Sequence, residues 1–188
     1  MQFEIHTGDN IKACKLQDLS RSILVNSEVY IVDGEKKRLV GISSGKTIAY
    51  LSAEFADYAL NNYTNLGELD ALPIKNCINL VRKWIEDSSS VSEEELDAAA
   101  WAAAWAARAA DAAARAAARS AAKAAEAAAG AAGAAAWAAE NAALAAGASS
   151  SAIGLDKDAR IKAEKNEFER QGIFILDFFK TGKNIFLI

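Results

Sequence analysis

Apolar positions recur at helical spacing in two stretches before residue 90. In "TIAYLSAEFADYAL" (residues 47–60), Ile48, Leu51, Phe55 and Tyr58 fall three or four apart, the spacing that lines one face of a helix. In "ALPIKNCINLVRKWIEDSS" (71–89), Ile74, Cys77, Ile78, Val81 and Ile85 do the same. Pro73 belongs in the first turn, where its missing N–H costs nothing. "VYIVDGEKKRLVGI" (29–42) reads differently. Two β-rich runs flank Asp33-Gly34, so a small hairpin is expected across residues 28–42. From residue 156 a charged segment with Ile161 and Phe168 leads into "IFILDFF" and a Thr181-Gly182-Lys183 turn. A helix to about Phe179 and a short extended tail is the favoured reading. A strand of residues 173–179 paired with 28–42 is the alternative.

Between these lies a segment with an inverted pattern. More than half of residues 90–133 are alanine, and the tract resumes as far as residue 147. Ser92 and Glu95 form a capping box, with Val91 and Leu96 placed as a hydrophobic staple. Glu93, Glu94 and Glu95 favour the positive end of a helix dipole. Alanine has the highest helix propensity, so one helix from Ser92 to about Ala129, on the order of 50 Å long, is expected. Gly130 and Gly133 then end or kink it, and a second alanine helix runs from about Ala134 to Ala146.

The residues that interrupt the alanines are Asp97, Trp101, Trp105, Arg108, Asp111, Arg115, Arg119, Lys123 and Glu126, then Gly130, Gly133, Trp137, Glu140 and Leu144. On a continuous helix they share a sector of roughly 120°. The wide face is therefore methyl groups, which let helices approach closely, and the narrow stripe carries indoles and charges. A mainly α fold follows: a bundle of closely packed alanine-rich helices with a small hairpin near residues 28–42. One domain spans residues 1–188: an N-terminal segment (1–45), two amphipathic helices (46–88), an alanine-rich helical hairpin (92–147), and a terminal helix and tail (156–188).

Composition narrows the function. The 188-residue chain has a formal net charge of −4, which argues against a general nucleic-acid binder. The charges in the alanine tract argue against a membrane span. Cys14 and Cys77 match no metal or redox spacing, so both are expected reduced and packed, as in a cytoplasmic protein. "MQFEIHTGDN" lacks the basic and apolar regions of a signal peptide.

Several motifs bear on chemistry. Gly41, Gly45, Lys46 and Thr47 give G-x-x-x-G-K-T, one residue short of a phosphate-binding loop. The competing reading is a turn in which Ser43, Ser44 and Gly45 cap a helix. His6 is the only histidine and has no Ser, Cys or Asp partner at motif spacing. Asp97, Asp111, Glu126 and Glu140 lie three or more turns apart, which gives no paired-acid site. Ice binding would need regular threonines, and the tract has none. Arg115, Arg119 and Lys123 are successive i,i+4 like charges. Either acids from elsewhere (Glu164, Glu167, Glu169, Glu54 or Asp57) neutralise them, or they form an anion site with Trp101, Trp105 or Trp137 beside it.

The order of "AEFADYALNNY", "IKNCINLVRKWIEDSSSVSEEELDAAAW…" and "IKAEKNEFERQGIFILDFF" resembles the alanine-rich bacterial immunity proteins. These share a "WL-x-G/D…S-EEL-x-AAA" junction ahead of a long Ala/Trp/Tyr/Arg/Asp tract and a charged terminal helix. The resemblance covers residues 48 to about 179 and is most specific from Trp84 to Leu96. It implies an all-helical bundle that binds a partner protein, and it carries no catalytic residues.

The expected function is accordingly a non-enzymatic binding protein without cofactor or metal, acting as an immunity or inhibitor protein. It would sequester a toxin or effector through Trp101, Trp105, Arg108, Arg115, Arg119, Lys123 and Trp137. The alternative is a binder of a small anionic or nucleotide-derived ligand held by Arg115, Arg119 and Lys123. No nucleic acid or membrane partner is expected, and exposed alanine faces favour a homodimer over larger assemblies.

Overall fold

The structure is a computed structural model, and it describes residues 2–106, 112–128, 141–149 and 156–181. Within those stretches the side chains of residues 105, 106, 113–115, 118, 126 and 127 are not described. The fold is mostly helical with one four-stranded antiparallel sheet. Strands β1 (Gln2–Thr7), β2 (Asn10–Lys15), β3 (Glu28–Asp33) and β4 (Lys36–Ile42) stand in the order β2-β1-β3-β4.

Alternation drives the sheet. Phe3 and Ile5 are buried on β1, and they pair with Cys14 on β2 and with Ile31 and Val29 on β3. One face is thus apolar and one polar, as period-two side chains require. The hairpin expected at 28–42 is present. Its loop is Gly34–Glu35, one residue later than Asp33-Gly34, because Asp33 still pairs with Lys36 and Gly34 takes φ +59°. The first hairpin, closed by Gly8 at φ +58°, was not expected. Its signal was legible: Gln2-Phe3-Glu4-Ile5-His6 alternates and a Gly-Asp pair follows. Buried Ser43 ties the two ends of the second hairpin together. Its backbone N–H donates to the Ser27 carbonyl (2.9 Å), and its Oγ accepts from the Ser27 N–H (3.0 Å).

Helix α1 (Gly45–Tyr63) starts where the near-phosphate-loop motif lies. Ser44 Oγ accepts from the Thr47 N–H at 3.1 Å, and Thr47 is buried. Gly41 packs against the Phe179 ring. The segment has the geometry of a strand-to-helix turn with a serine N-cap. Helix α2 (Glu68–Glu86) corrects the expected place of Pro73. The helix begins five residues earlier, so the proline sits in the second turn. It cannot donate to the Leu69 carbonyl, and Leu69 is 84% exposed, so water can meet that carbonyl instead.

The alanine tract corrects a larger expectation. It is not one 50 Å rod. Helix α3 (Glu93–Ala106) and helix α4 (Ala112–Ala128) pack against each other, which two ends of a straight helix cannot do. A lone alanine cylinder buries almost nothing, whereas folding it back gives each methyl group an apolar neighbour at roughly 0.8 kcal/mol per buried carbon. The start of α3 is as expected. The Glu95 N–H donates to Ser92 Oγ (3.2 Å), the Ser92 N–H donates to Glu95 Oε2 (2.8 Å), and Val91 and Leu96 are both buried. On α4, Ala116, Ala117, Ala121, Ala124, Ala125 and Ala128 are buried. Among the described residues the α1–α4 contact is the most extensive between helices, and α1 brings small buried residues to the core: Ala49, Ser52, Ala53, Ala56 and Ala59. Helix α2 also approaches closely, with Cys77 Sγ donating to the Ala121 carbonyl at 3.4 Å. Both cysteines are free thiols and buried. The bend expected at Gly130 and Gly133 lies outside the described residues. Helix α5, described over 141–149, covers the end of the second alanine segment.

Helix α6 (Lys157–Lys180) includes "IFILDFF", so the favoured reading holds over the strand alternative. Phe178 and Phe179 are buried, and Phe178 stacks on Tyr50 of α1 (5.1 Å between centroids). A Cβ at Gly172 would collide with the Leu16 carbonyl oxygen, so this helix crosses the 3-10 turn Leu16–Asp18 at backbone distance. The tail after Thr181 lies outside the described residues. Glu167 is fully buried between α6 and α1. It accepts from Tyr63 Oη (2.7 Å), from Arg170 through two nitrogens (2.7 and 2.8 Å) and from Gln171 (3.0 Å). Arg170 in turn lies over the Tyr58 ring at 3.5 Å.

Candidate functional site

On α3 the buried positions are Leu96, Ala100 and Ala103, so Asp97 and Trp101 face outward. Trp101 is 65% exposed. On α4 the same logic turns Arg119 to solvent and leaves Lys123 half-buried. The expected single stripe is therefore divided between two helices packed side by side. Lys123 has an interaction partner, while Arg119 makes no ion pair among the described residues. The side chains of Trp105 and Arg115, and the whole of Arg108 and Trp137, lie outside the described residues.

Most of the acids that could have neutralised this stripe are engaged elsewhere. Glu54 and Asp57 both accept from Arg82 Nη2 at 2.8 Å, tying α1 to α2. Glu164 pairs with Arg160 (3.0 Å) and Glu167 with Arg170. Arg119 instead borders a groove of about 470 Å³ between α4, α5 and α6. Its other walls are Leu144, Arg160 and Glu164, with Ala112 and Ala116 along one side. Gly147 leaves room for the Glu164 carboxylate, since a Cβ there would collide with it. Two guanidinium groups and one carboxylate give the groove a positive balance. Arg160 was missed from sequence because it lies outside the tract. Its only signal was the i,i+4 spacing to Glu164.

The other polar clusters serve structure. His6 Nε2 and Glu4 Oε2 are 3.0 Å apart on the solvent face of the sheet, and Lys37 Nζ lies 2.7 Å from the same oxygen. Hydrogen bonds from Lys37 first, then His6, hold the Glu4 carboxyl below its ordinary range. Burial pushes the Cys77 thiol up to about 12 and raises that of Cys14, which favours the unreactive thiol form. Among the described residues, no group of three or more His, Cys, Asp or Glu could hold a metal ion. Among them, too, no helix is long and apolar enough to cross a membrane. No family model, curated protein or solved structure matches the chain.

Proposed function

We propose that this is a non-enzymatic binding protein that covers a partner protein, a toxin or effector, with the outward faces of its alanine-rich helices. The observation that carries this reading is Trp101, a large indole 65% exposed on helix α3. Ordering such a surface at binding costs little, because the helix is already formed. Tryptophan and arginine are the residue types on which interfaces most depend. The resemblance to alanine-rich immunity proteins points the same way. In the test, immobilised wild-type protein and Trp101→Ala are presented to extract of the source organism. A partner held by the wild type should be lost from Trp101→Ala, with affinity reduced by about thirtyfold, or 2 kcal/mol. Equal retention on both would sink the reading.

The second reading rests on Arg119, which borders the α4–α5–α6 groove with Arg160 and has no ion-pair partner among the described residues. A small anionic or nucleotide-derived ligand would lie there between two guanidinium groups, a geometry suited to bidentate bonds. Calorimetry with inorganic phosphate and a nucleotide panel tests it. Heat that disappears in Arg119→Ala supports this ligand, and no heat from any anion counts against it.

A further inference from the structure

The two outer strands of the sheet end it in different ways. The β4 edge carries Lys36, Lys37 and Arg38 in succession, a bulge opposite Val29/Tyr30, and the Phe179 ring against Gly41. Consecutive cations, bulges and covering side chains are what keeps an edge from accepting another strand. Strand β2 has no bulge: its register against β1 runs unbroken from Asn10 to Lys15. The hairpin loop is two residues long, so Thr7–Asn10, Ile5–Lys12 and Phe3–Cys14 are the hydrogen-bonded pairs. The N–H and C=O groups of Ile11, Ala13 and Lys15 therefore point away from the sheet. Among the described residues no hydrogen bond reaches those of Ile11 and Ala13, while the Lys15 carbonyl accepts the first bond of the 3-10 turn.

Beside this edge lies a cleft of about 900 Å³. Ala13, Cys14 and Lys15 form one wall, the 3-10 turn its end, and Lys165 and Glu169 of α6 the other wall. The charges around it are unbalanced. Arg21 and Asp18 neutralise each other at 2.6 Å. Lys12, Lys15 and Lys165 have no ion pair among the described residues, and Glu169 alone opposes them. Ile11, 60% exposed, adds apolar surface next to the open edge.

We propose that β2 is a docking edge that takes an extended, acidic segment of a partner polypeptide as a fifth strand. The backbone of that segment bonds to Ile11 and Ala13 and accepts from the Lys15 N–H, and its carboxylates meet Lys12, Lys15 and Lys165. Main-chain bonds supply affinity in such additions, and alternate side chains supply selectivity. This surface is separate from Trp101 and from the α4–α5–α6 groove, so either proposal can fail alone.

The test uses fluorescence anisotropy on the full chain with labelled peptides. One alternates glutamate and valine, one lysine and valine, and a third is the glutamate peptide N-methylated at alternate residues. The glutamate peptide should bind. The lysine peptide and the N-methylated peptide should each bind at least about tenfold more weakly, a loss of about 1.4 kcal/mol. Lys15→Glu with Lys165→Glu, a surface double variant, should also weaken the glutamate peptide about tenfold and reduce its salt dependence. The N-methylated peptide keeps the test independent of any folding defect, because the protein is unchanged. Absence of saturable binding by the glutamate peptide overturns the proposal, as does equal binding of the N-methylated or lysine peptide. A dimer in analytical ultracentrifugation that Ala13→Pro dissociates also overturns it, because the edge would then belong to a second copy.

Discussion

At the scale of single residues, Glu167 decides the most. A carboxylate with no solvent contact survives because Tyr63, Arg170 and Gln171 all donate to it. Glu167→Ala takes the acceptor from Tyr63, Arg170 and Gln171 at once, while Arg170 keeps part of its contact with water, so it should cost about 1–3 kcal/mol in urea unfolding. Tyr63 gives a pH signature. Burial first, and then the hydrogen bond to Glu167, push its phenol well above the ordinary value of 10.0. A folded-state pKa raised above the unfolded one contributes stability that is fully present below the unfolded value. Stability should therefore fall as pH rises above about 10, as the unfolded phenol ionises and the folded one does not. Tyr63→Phe should flatten that slope. Urea titrations at several alkaline pH values read the slope, with Cys77 contributing in the same direction in both proteins.

At the scale of elements, caps and small side chains define the helices. Ser92→Ala breaks the capping box of α3 and should cost about 1 kcal/mol in chemical denaturation. Ala121 on α4 is fully buried, and the Cys77 thiol reaches its carbonyl. Ala121→Leu should therefore destabilise the protein by about 1–3 kcal/mol through overpacking. Ala112→Leu, at an exposed position of the same helix, should stay within about 0.5 kcal/mol. If both leucines are tolerated equally, close helix approach is not what α4 contributes.

At the scale of the molecule, α6 joins the sheet to the helices. Gly172 lies against the backbone of Leu16, Phe179 against Gly41, and Phe178 against Tyr50. Gly172→Ala would push α6 off a backbone carbonyl that has no rotamer to yield. It should cost about 1–3 kcal/mol or more, read as a lower denaturation midpoint. Separate transitions for the sheet, followed by amide hydrogen exchange of the strands, and for the helices, followed by circular dichroism, would show that α6 is the coupling element. A single lowered transition would show that it only adds stability.

What the sequence determined by itself was local. Helical spacing set α1 and α2, while the terminal segment admits helix or strand, and only the structure places it in α6. The Ser92–Glu95 box set the start of α3, and a glycine with β-rich flanks set the second hairpin. Each signal lies within a few residues of the element it specifies. The first hairpin was equally local, in the alternation from Gln2 to His6. Tertiary structure decided the rest. Alanine carries high helix propensity but almost no information about partners, so nothing along the tract said that it folds back into α3 and α4. Nor did chain order say that Arg160 would come beside Arg119, or that α6 would stand across a cleft from the open edge of β2. Those juxtapositions join residues far apart in the chain. They are fixed by which faces can be buried together, a property of the whole packed molecule.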